Sequence, residues 1–290
     1  MEESVSFDSG GLRLAGLVRI PPGLRPGERR SAVVILHGFG GHKDGPQQRW
    51  SSAHLAEWGY VTLRFDFRGC GESEGRRGWV LPLEQVDDAR SAANYMLTRP
   101  DVDPERIGVI GTSYGATVGV YAAGVERRIT AVIAQGGWAN GTRMFRALHA
   151  TDAAWQRFTD MFERGRRHHA ETGQSLMVHR YDIIPVPEHL RRNIDQRSIF
   201  EFPVDTALAT LEFNAEEVVG GIAPRPLLLL HSARDMVIAA SGSIELFARA
   251  NQPVDLYVMS GVDHFMFGES DPRMSNLVRD WLARYLPPSR

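Results

Sequence analysis

The sequence predicts an α/β fold in which a mostly parallel, doubly wound sheet carries an inserted helical cap. Short apolar runs recur along the chain and end abruptly at glycine, aspartate or histidine, as buried parallel strands do. The segments between these runs have helical spacing, so strands and helices alternate along the chain. The alternation breaks over residues 138–220 and then resumes, which indicates an insertion into one sheet.

The strands follow in chain order. Residues 4–21, "SVSFDSGGLRLAGLVRIP", alternate in polarity around a Gly-Gly turn, which predicts an antiparallel hairpin at the sheet edge. The later strands are apolar on both faces and are predicted at 31–38, 60–66, 106–111, 130–137, 226–232 and 254–261.

Helices are predicted between these strands. Residues 83–99 place Val86, Ala89 and Ala93 on one apolar stripe, and residues 114–124 and 240–250 have similar spacing. Strands that alternate with helices form βαβ units with right-handed crossovers, which wind a parallel sheet on both faces.

The inserted segment differs in sequence pattern from the rest of the chain. Residues 152–171 show charged and aromatic side chains at helical spacing, and a structureless loop of this length would be unusual. We therefore predict an α/β core formed by residues 1–137 and 221–290, with residues 138–220 as a cap subdomain.

Composition narrows the range of functions. The 290 residues have a net charge of −2 with no acidic or basic block, so we expect neither a nucleic-acid nor a membrane partner. Cys70 is the only cysteine, which excludes an intramolecular disulfide. The first residues lack the apolar core of a signal peptide, so we expect a cytoplasmic protein. Nothing in the sequence decides between a monomer and a homo-oligomer.

One motif points to catalysis. Gly111-Thr112-Ser113-Tyr114-Gly115 reads G-x-S-x-G and lies between a predicted strand and a predicted helix. A sharp turn at this point would expose the Ser113 hydroxyl above the sheet, and only small neighbours fit around such a turn. In this motif and its setting the chain resembles the α/β-hydrolase fold family over nearly its whole length.

The resemblance implies a catalytic triad in the order serine, acid, histidine. Ser113 would be the nucleophile, and His264 is the only histidine beyond the strand at 226–232, where the fold needs its base. Asp235 follows that strand and would orient His264, while Asp263 is the alternative acid. We favour Asp235, because a residue adjacent to His264 in an extended loop usually points away from it.

The resemblance also implies an oxyanion hole. The backbone N–H of Tyr114 would be one donor, and the H-G-x-G loop at 37–41 would supply the other from Phe39. Aromatic residues near these elements suggest a largely apolar cleft between cap and sheet. The pocket residues that we predict are Gly38, Trp138, Phe265 and Phe267.

Together these features predict a serine hydrolase that cleaves a small-molecule carboxylic ester through an acyl-enzyme, without a metal or organic cofactor. Amides, thioesters, lactones and carbon–carbon bonds remain open, because the same constellation cleaves them all on this fold. The adjacent His168 and His169 face different directions on a helix, so we expect no metal site there.

Three other functions are less favoured. An aminopeptidase would need a cap carboxylate for the substrate amine, for which Glu163, Asp182 and Glu188 are candidates. A haloalkane dehalogenase would have an aspartate in place of Ser113. A non-catalytic ligand-binding protein on this fold would usually lack part of the triad or of the oxyanion loop, and this chain has candidates for every part.

Overall fold

The computed structural model describes residues 1–268 and 271–289. Its ten strands are β1 (Glu2–Ser9), β2 (Leu12–Arg19), β3 (Arg30–Leu36), β4 (Val61–Phe65), β5 (Val102–Thr112), β6 (Ile129–Gln135), β7 (Met177–His179), β8 (Glu201–Pro203), β9 (Leu227–Ser232) and β10 (Val254–Met259). Its α-helices are α1 (Pro46–Glu57), α2 (Pro82–Leu97), α3 (Tyr114–Val125), α4 (Gly141–Leu148), α5 (Asp152–Thr172), α6 (Arg180–Ile183), α7 (Val204–Leu211), α8 (Ser241–Arg249) and α9 (Pro272–Tyr285). Short 3₁₀ turns lie at Glu188–Asn193, Ala215–Glu217, Val219–Ile222 and Met266–Gly268.

Eight strands form one sheet in the order β1-β2-β4-β3-β5-β6-β9-β10. The β1–β2 hairpin is antiparallel and joins the rest through an antiparallel β2–β4 pair. All the remaining pairs are parallel. The predicted α/β fold, with a mostly parallel sheet and an edge hairpin, is therefore confirmed.

Both faces of the sheet are covered. Along β3, Val34 and Leu36 join the apolar cluster that includes residues of α2, α3 and α8. Val33 and Ile35 point the other way and join the cluster that includes residues of α1 and α9. A strand that is buried on both faces needs apolar residues at every position, which explains why its sequence reads as a continuous apolar run.

The strand order reverses at the centre of the sheet, because β3 pairs with β4 on one side and with β5 on the other. Loops that leave the carboxyl ends of strands on either side of such a point diverge and open a crevice. The loop after β3 and the turn after β5 therefore border one crevice.

The segment 138–220, which the sequence predicts as a cap, contains α4 to α7 and the small β7–β8 sheet. Phe158 of α5 is buried within the segment and stacks on His149, with the ring centroids 4.4 Å apart. The segment is tied to the loop after β3, because the N–H of Ile199 donates to the carbonyl of Gly40 at 2.8 Å.

Among the helices of the described ranges, none combines the length and the apolar character that crossing a bilayer requires.

Candidate active site

Ser113 occupies a strained turn between β5 and α3. Its φ of 55° makes it the only non-glycine residue with positive φ in the part of the chain that is described. A side chain at Gly111 would collide with the carbonyl of Gly115, and one at Gly115 would lie 2.5 Å from the carbonyl oxygen of His37. The two glycines therefore allow the backbone to approach closely around a serine held in an unfavourable conformation.

His264 and Asp235 are paired in the interior. Nδ1 of His264 lies 2.6 Å from Oδ2 of Asp235, and the other oxygen of this carboxylate accepts the N–H groups of Val237 and Ile238 at 2.8 Å each. A proton on Nδ1 satisfies the carboxylate and leaves Nε2 of His264 as an acceptor. The imidazole is thus held in the tautomer that a general base requires.

The electrostatics favour an ionised Asp235. Burial by itself would raise the pKa of this carboxyl, but the adjacent His264 and His231 outweigh burial and hold the pKa below its usual range. The carboxylate therefore stays charged at neutral pH, beside the imidazole that would become positive during catalysis.

Asp263, the alternative acid, has a different contact. Its Oδ1 accepts the backbone N–H of Phe265 at 2.7 Å. The residue also lines an open groove of about 430 Å³, next to Gln47 and Arg192. The structure thus brings His264 together with Asp235 and places Asp263 at the groove.

His37 holds the loop that follows β3. Its Nε2 accepts the N–H of Phe67 at 3.2 Å, so the proton is on Nδ1, which donates to the carbonyl of Gly38 at 2.9 Å. Burial lowers the pKa of His37 to about 4. Gly40 has a φ of 53°, and a side chain there would collide with the buried ring of Phe202.

These elements surround a small, largely apolar cavity of about 70 Å³. Among the residues predicted from sequence, the lining contains Ser113, His264, Gly38, Phe39, Tyr114, Trp138 and Phe265. The side chain of Asp235, which pairs with His264, is fully buried and does not line the cavity. The prediction of Phe267 as a pocket residue is wrong, because this residue does not line the cavity. Its side chain lies in the core beneath α1 and α9, where the ring stacks on that of Trp50 with centroids 5.3 Å apart. A 3₁₀ turn at Met266–Gly268 directs this side chain away from the cavity.

Sequence reasoning missed two residues of this region. Arg180 begins the short helix α6 and lines the cavity, although nothing in the motif "VHRYD" indicates it. His231 lies near the end of β9, and its Nε2 is 3.4 Å from Oδ2 of Asp235. A polar residue inside the otherwise apolar run "PLLLLHS" was the one available signal for His231.

No group of three or more histidine, cysteine, aspartate or glutamate side chains suited to holding a metal ion occurs within residues 1–268 and 271–289.

Comparison with known proteins gives a family match over most of the chain. The family described as serine aminopeptidase, S33, matches residues 27–271. A curated relative, the protein PA2218 of Pseudomonas aeruginosa, is 27% identical over 274 residues, which cover 88% of this chain and 72% of that protein.

Solved structures share the fold. The crystal structure of PA2218 has a TM-score of 0.85 at 24% identity and covers 99% of this chain and 94% of its own. The α/β hydrolase GrgF from Penicillium sp. sh18 has a TM-score of 0.82 at 21% identity, covering 99% of both chains. Est1E from Butyrivibrio proteoclasticus, solved with ferulic acid bound, has a TM-score of 0.71 at 18% identity and covers 97% of this chain and 98% of its own.

Proposed function

This chain belongs to the serine aminopeptidase, S33, family of α/β hydrolases, and we propose that it is a serine hydrolase that cleaves a carboxylic ester. One observation carries the proposal: His264, paired with the buried Asp235 at 2.6 Å, lines the same cavity as Ser113. A base held in one tautomer beside a serine on a strained turn is the arrangement that nucleophilic acyl transfer requires.

In the first half of the proposed reaction, Oγ of Ser113 attacks the acyl carbon while Nε2 of His264 takes the hydroxyl proton. Asp235 stabilises the imidazolium that forms. The carbonyl oxygen becomes an oxyanion, to which the backbone N–H groups of Tyr114 and Phe39 donate hydrogen bonds. The ester C–O bond then breaks, and the leaving alkoxide takes the proton from His264 and departs as an alcohol.

In the second half, water takes the place of the alcohol. His264 removes a proton from the water as its oxygen attacks the acyl carbon of the Ser113 ester. Collapse of this second tetrahedral intermediate returns the proton to Oγ of Ser113 and releases a carboxylic acid. The net reaction consumes one ester and one water and restores the enzyme.

The charges at the cavity favour an ester over an N-terminal peptide amine. An aminopeptidase needs a carboxylate near the reacting bond, whereas the cation Arg180 lines the cavity and no carboxylate of the described residues does. The three candidate carboxylates, Glu163, Asp182 and Glu188, do not line it. A cationic amine would therefore meet a positive side chain instead of a negative one.

We also propose that residues 138–220 act as a lid. Ile184, Val186 and Ile194 of this segment line the cavity together with Ser113 and His264. The cavity of about 70 Å³ is far below the roughly 300–1,000 Å³ of drug-sized ligand sites. Only a short acyl group fits this closed form, so longer substrates would require the lid to open.

The test is hydrolysis of p-nitrophenyl esters from acetate to palmitate by the wild type and by Ser113→Ala. We expect acetate to butyrate to react fastest, and we expect Ser113→Ala to lose about 10⁴-fold or more in kcat. Ser6→Ala, at an exposed serine on β1, is the matched control and should behave as wild type.

A fluorophosphonate probe separates the two parts of the proposal. Failure of the probe to label folded wild-type protein would contradict the assignment of Ser113 as nucleophile. Labelling without hydrolysis of any ester would contradict the ester but keep the nucleophile, and amides, lactones and thioesters would then be tested with the same variants.

A further inference from the structure

Arg180 is a buried cation at the catalytic cavity. Its side chain belongs to the segment 138–220, lines the cavity together with Ser113 and His264, and is only 8% exposed. Burial lowers the pKa of this guanidinium to about 10, so the group remains positive at neutral pH. A buried charge is costly unless a partner of opposite charge compensates it.

Arg180 is bonded to neutral groups of the protein, and the centroid of the Phe39 ring lies 5.4 Å from its guanidinium carbon. One terminal nitrogen donates to the carbonyl of Phe39 at 2.6 Å, and the other donates to the carbonyl of Ile199 at 2.9 Å. Both acceptors are neutral. Its Nε is buried without a hydrogen-bond partner, and no ion pair joins Arg180 to a carboxylate of the described residues. In contrast, the buried Lys43 pairs with Asp66 at 3.0 Å.

The remaining cavity wall would not offset the charge either. Apart from His264, the other described lining residues are apolar or neutral, including Gln47, Thr112 and Thr210. Arginine is also the side chain best suited to a planar anion, because its fork of N–H groups matches a carboxylate. We therefore expect the ligand to supply the negative charge that pairs with the guanidinium of Arg180.

We propose that Arg180 binds a carboxylate on the acyl part of the substrate, so that the enzyme prefers half-esters of short dicarboxylic acids to neutral esters. This inference rests on the proposed ester hydrolysis. The acyl part is assigned to the cavity because the cavity is small and largely apolar, whereas the neighbouring groove at Gln47 and Phe265 has about 430 Å³ and can take the leaving alcohol.

A matched pair of substrates tests the charge alone. Monomethyl succinate carries the carboxylate, and methyl 4-methylpentanoate replaces it with an isopropyl group of similar shape. We expect the wild type to favour the succinate about 100-fold in kcat/KM, measured by proton release at constant pH. A preference for the isopropyl ester, or an equal rate with carboxymethyl acetate, which carries the charge on the alcohol part, would overturn the proposal.

Variants of Arg180 test whether this residue binds the substrate carboxylate. Arg180→Gln should lose about 100-fold in kcat/KM on monomethyl succinate, mainly through KM, and about threefold or less on the isopropyl ester. Arg180→Lys should fall between the two enzymes, because it keeps the charge without the fork. Arg167→Gln is the matched control, since this arginine of the same segment is exposed on α5 and does not line the cavity. Equal losses on both esters would mean that Arg180 only holds the Phe39 loop, and would overturn the inference.

A binding measurement keeps this inference separate from the ester proposal. Succinate should slow fluorophosphonate labelling of Ser113 in the wild type, and Arg180→Gln should abolish that protection. Protection without hydrolysis of either ester would refute the ester function and still support the anion site. If Arg180→Gln does not fold, Arg180→Lys and the wild-type substrate preference decide the question. Absence of protection by succinate in the wild type would overturn the inference.

Discussion

Nε2 of His231 lies 3.4 Å from Oδ2 of Asp235, the same oxygen that lies 2.6 Å from Nδ1 of His264. His231 is fully buried, and its Nδ1 accepts the hydroxyl of Ser243 at 2.7 Å, which leaves the proton on Nε2. That proton is shared between the carbonyl of Ile238, at 2.9 Å, and the carboxylate. A second histidine thus fixes the carboxylate that orients the first.

We predict that His231→Gln lowers kcat about tenfold and leaves KM unchanged, because it loosens Asp235 without touching the cavity. His149→Gln is the control, because this buried histidine contacts the carbonyl of Ile183 and not Asp235. Steady-state kinetics on p-nitrophenyl butyrate measures both variants, and an unchanged kcat in His231→Gln would show that His231 does not position Asp235.

Replacing the candidate acids one at a time distinguishes them. We expect Asp235→Asn to lose about 10³- to 10⁴-fold in kcat, since an amide cannot stabilise the imidazolium and favours the wrong tautomer. Asp263→Asn should retain nearly wild-type kcat, because an amide oxygen can still accept the N–H of Phe265. Steady-state kinetics on p-nitrophenyl butyrate measures both. The opposite ranking of the two variants would make Asp263 the triad acid.

The loop after β3 can be tested at Gly40. Gly40→Ala places a methyl group against the buried ring of Phe202 at a φ of 53°, so the loop that carries Phe39 must shift. We predict a loss of about 100-fold or more in kcat, as is typical when one oxyanion donor is removed. Gly173→Ala provides the comparison, with a φ of 71° and nothing within 4 Å. It should cost about 1 kcal/mol of stability and no activity, and similar kinetics for the two variants would argue against the oxyanion assignment.

A stability measurement tests the buried state of His37. Its folded pKa of about 4 lies below the ordinary 6.5, so the unfolded chain binds the proton more readily and acidification from 6.5 towards 4 favours unfolding. At pH 5 this linkage costs the wild type about 2 kcal/mol relative to pH 7. The variant His37→Asn has no imidazole at this position, so this pH-dependent cost is absent from it. The stability advantage of the wild type over the variant, measured by urea unfolding, should therefore shrink by that amount between pH 7 and pH 5, whereas a constant difference would show that His37 titrates normally.

Local sequence predicted much of the fold. The apolar runs from residue 31 to residue 261 became parallel strands, and the Gly-Gly turn became the β1–β2 hairpin, because burial on both faces and turn chemistry leave a direct mark on neighbouring residues. Part of the G-x-S-x-G turn could also be predicted from neighbouring residues. Gly111 is required by the carbonyl of Gly115, four positions away, and the strain falls on Ser113 itself. Gly115 is required by the carbonyl of His37, in the distant loop after β3.

The contacts around the cavity depend on packing between residues that are far apart in the chain. Phe39 and Arg180 are 141 residues apart in the chain, yet the guanidinium of Arg180 donates to the carbonyl oxygen of Phe39 at 2.6 Å. Phe265 and Phe267 are nearly adjacent, yet the first lines the cavity and the second enters the core on the other side of the sheet. Periodic spacing determines which face a side chain takes in a strand or helix, whereas in irregular segments its direction follows from the elements packed against it. Neighbouring residues were therefore sufficient to predict the strands, the turn at Ser113 and the order of the candidate triad, whereas long-range packing selected the cation and the aromatic rings that line the cavity with Ser113.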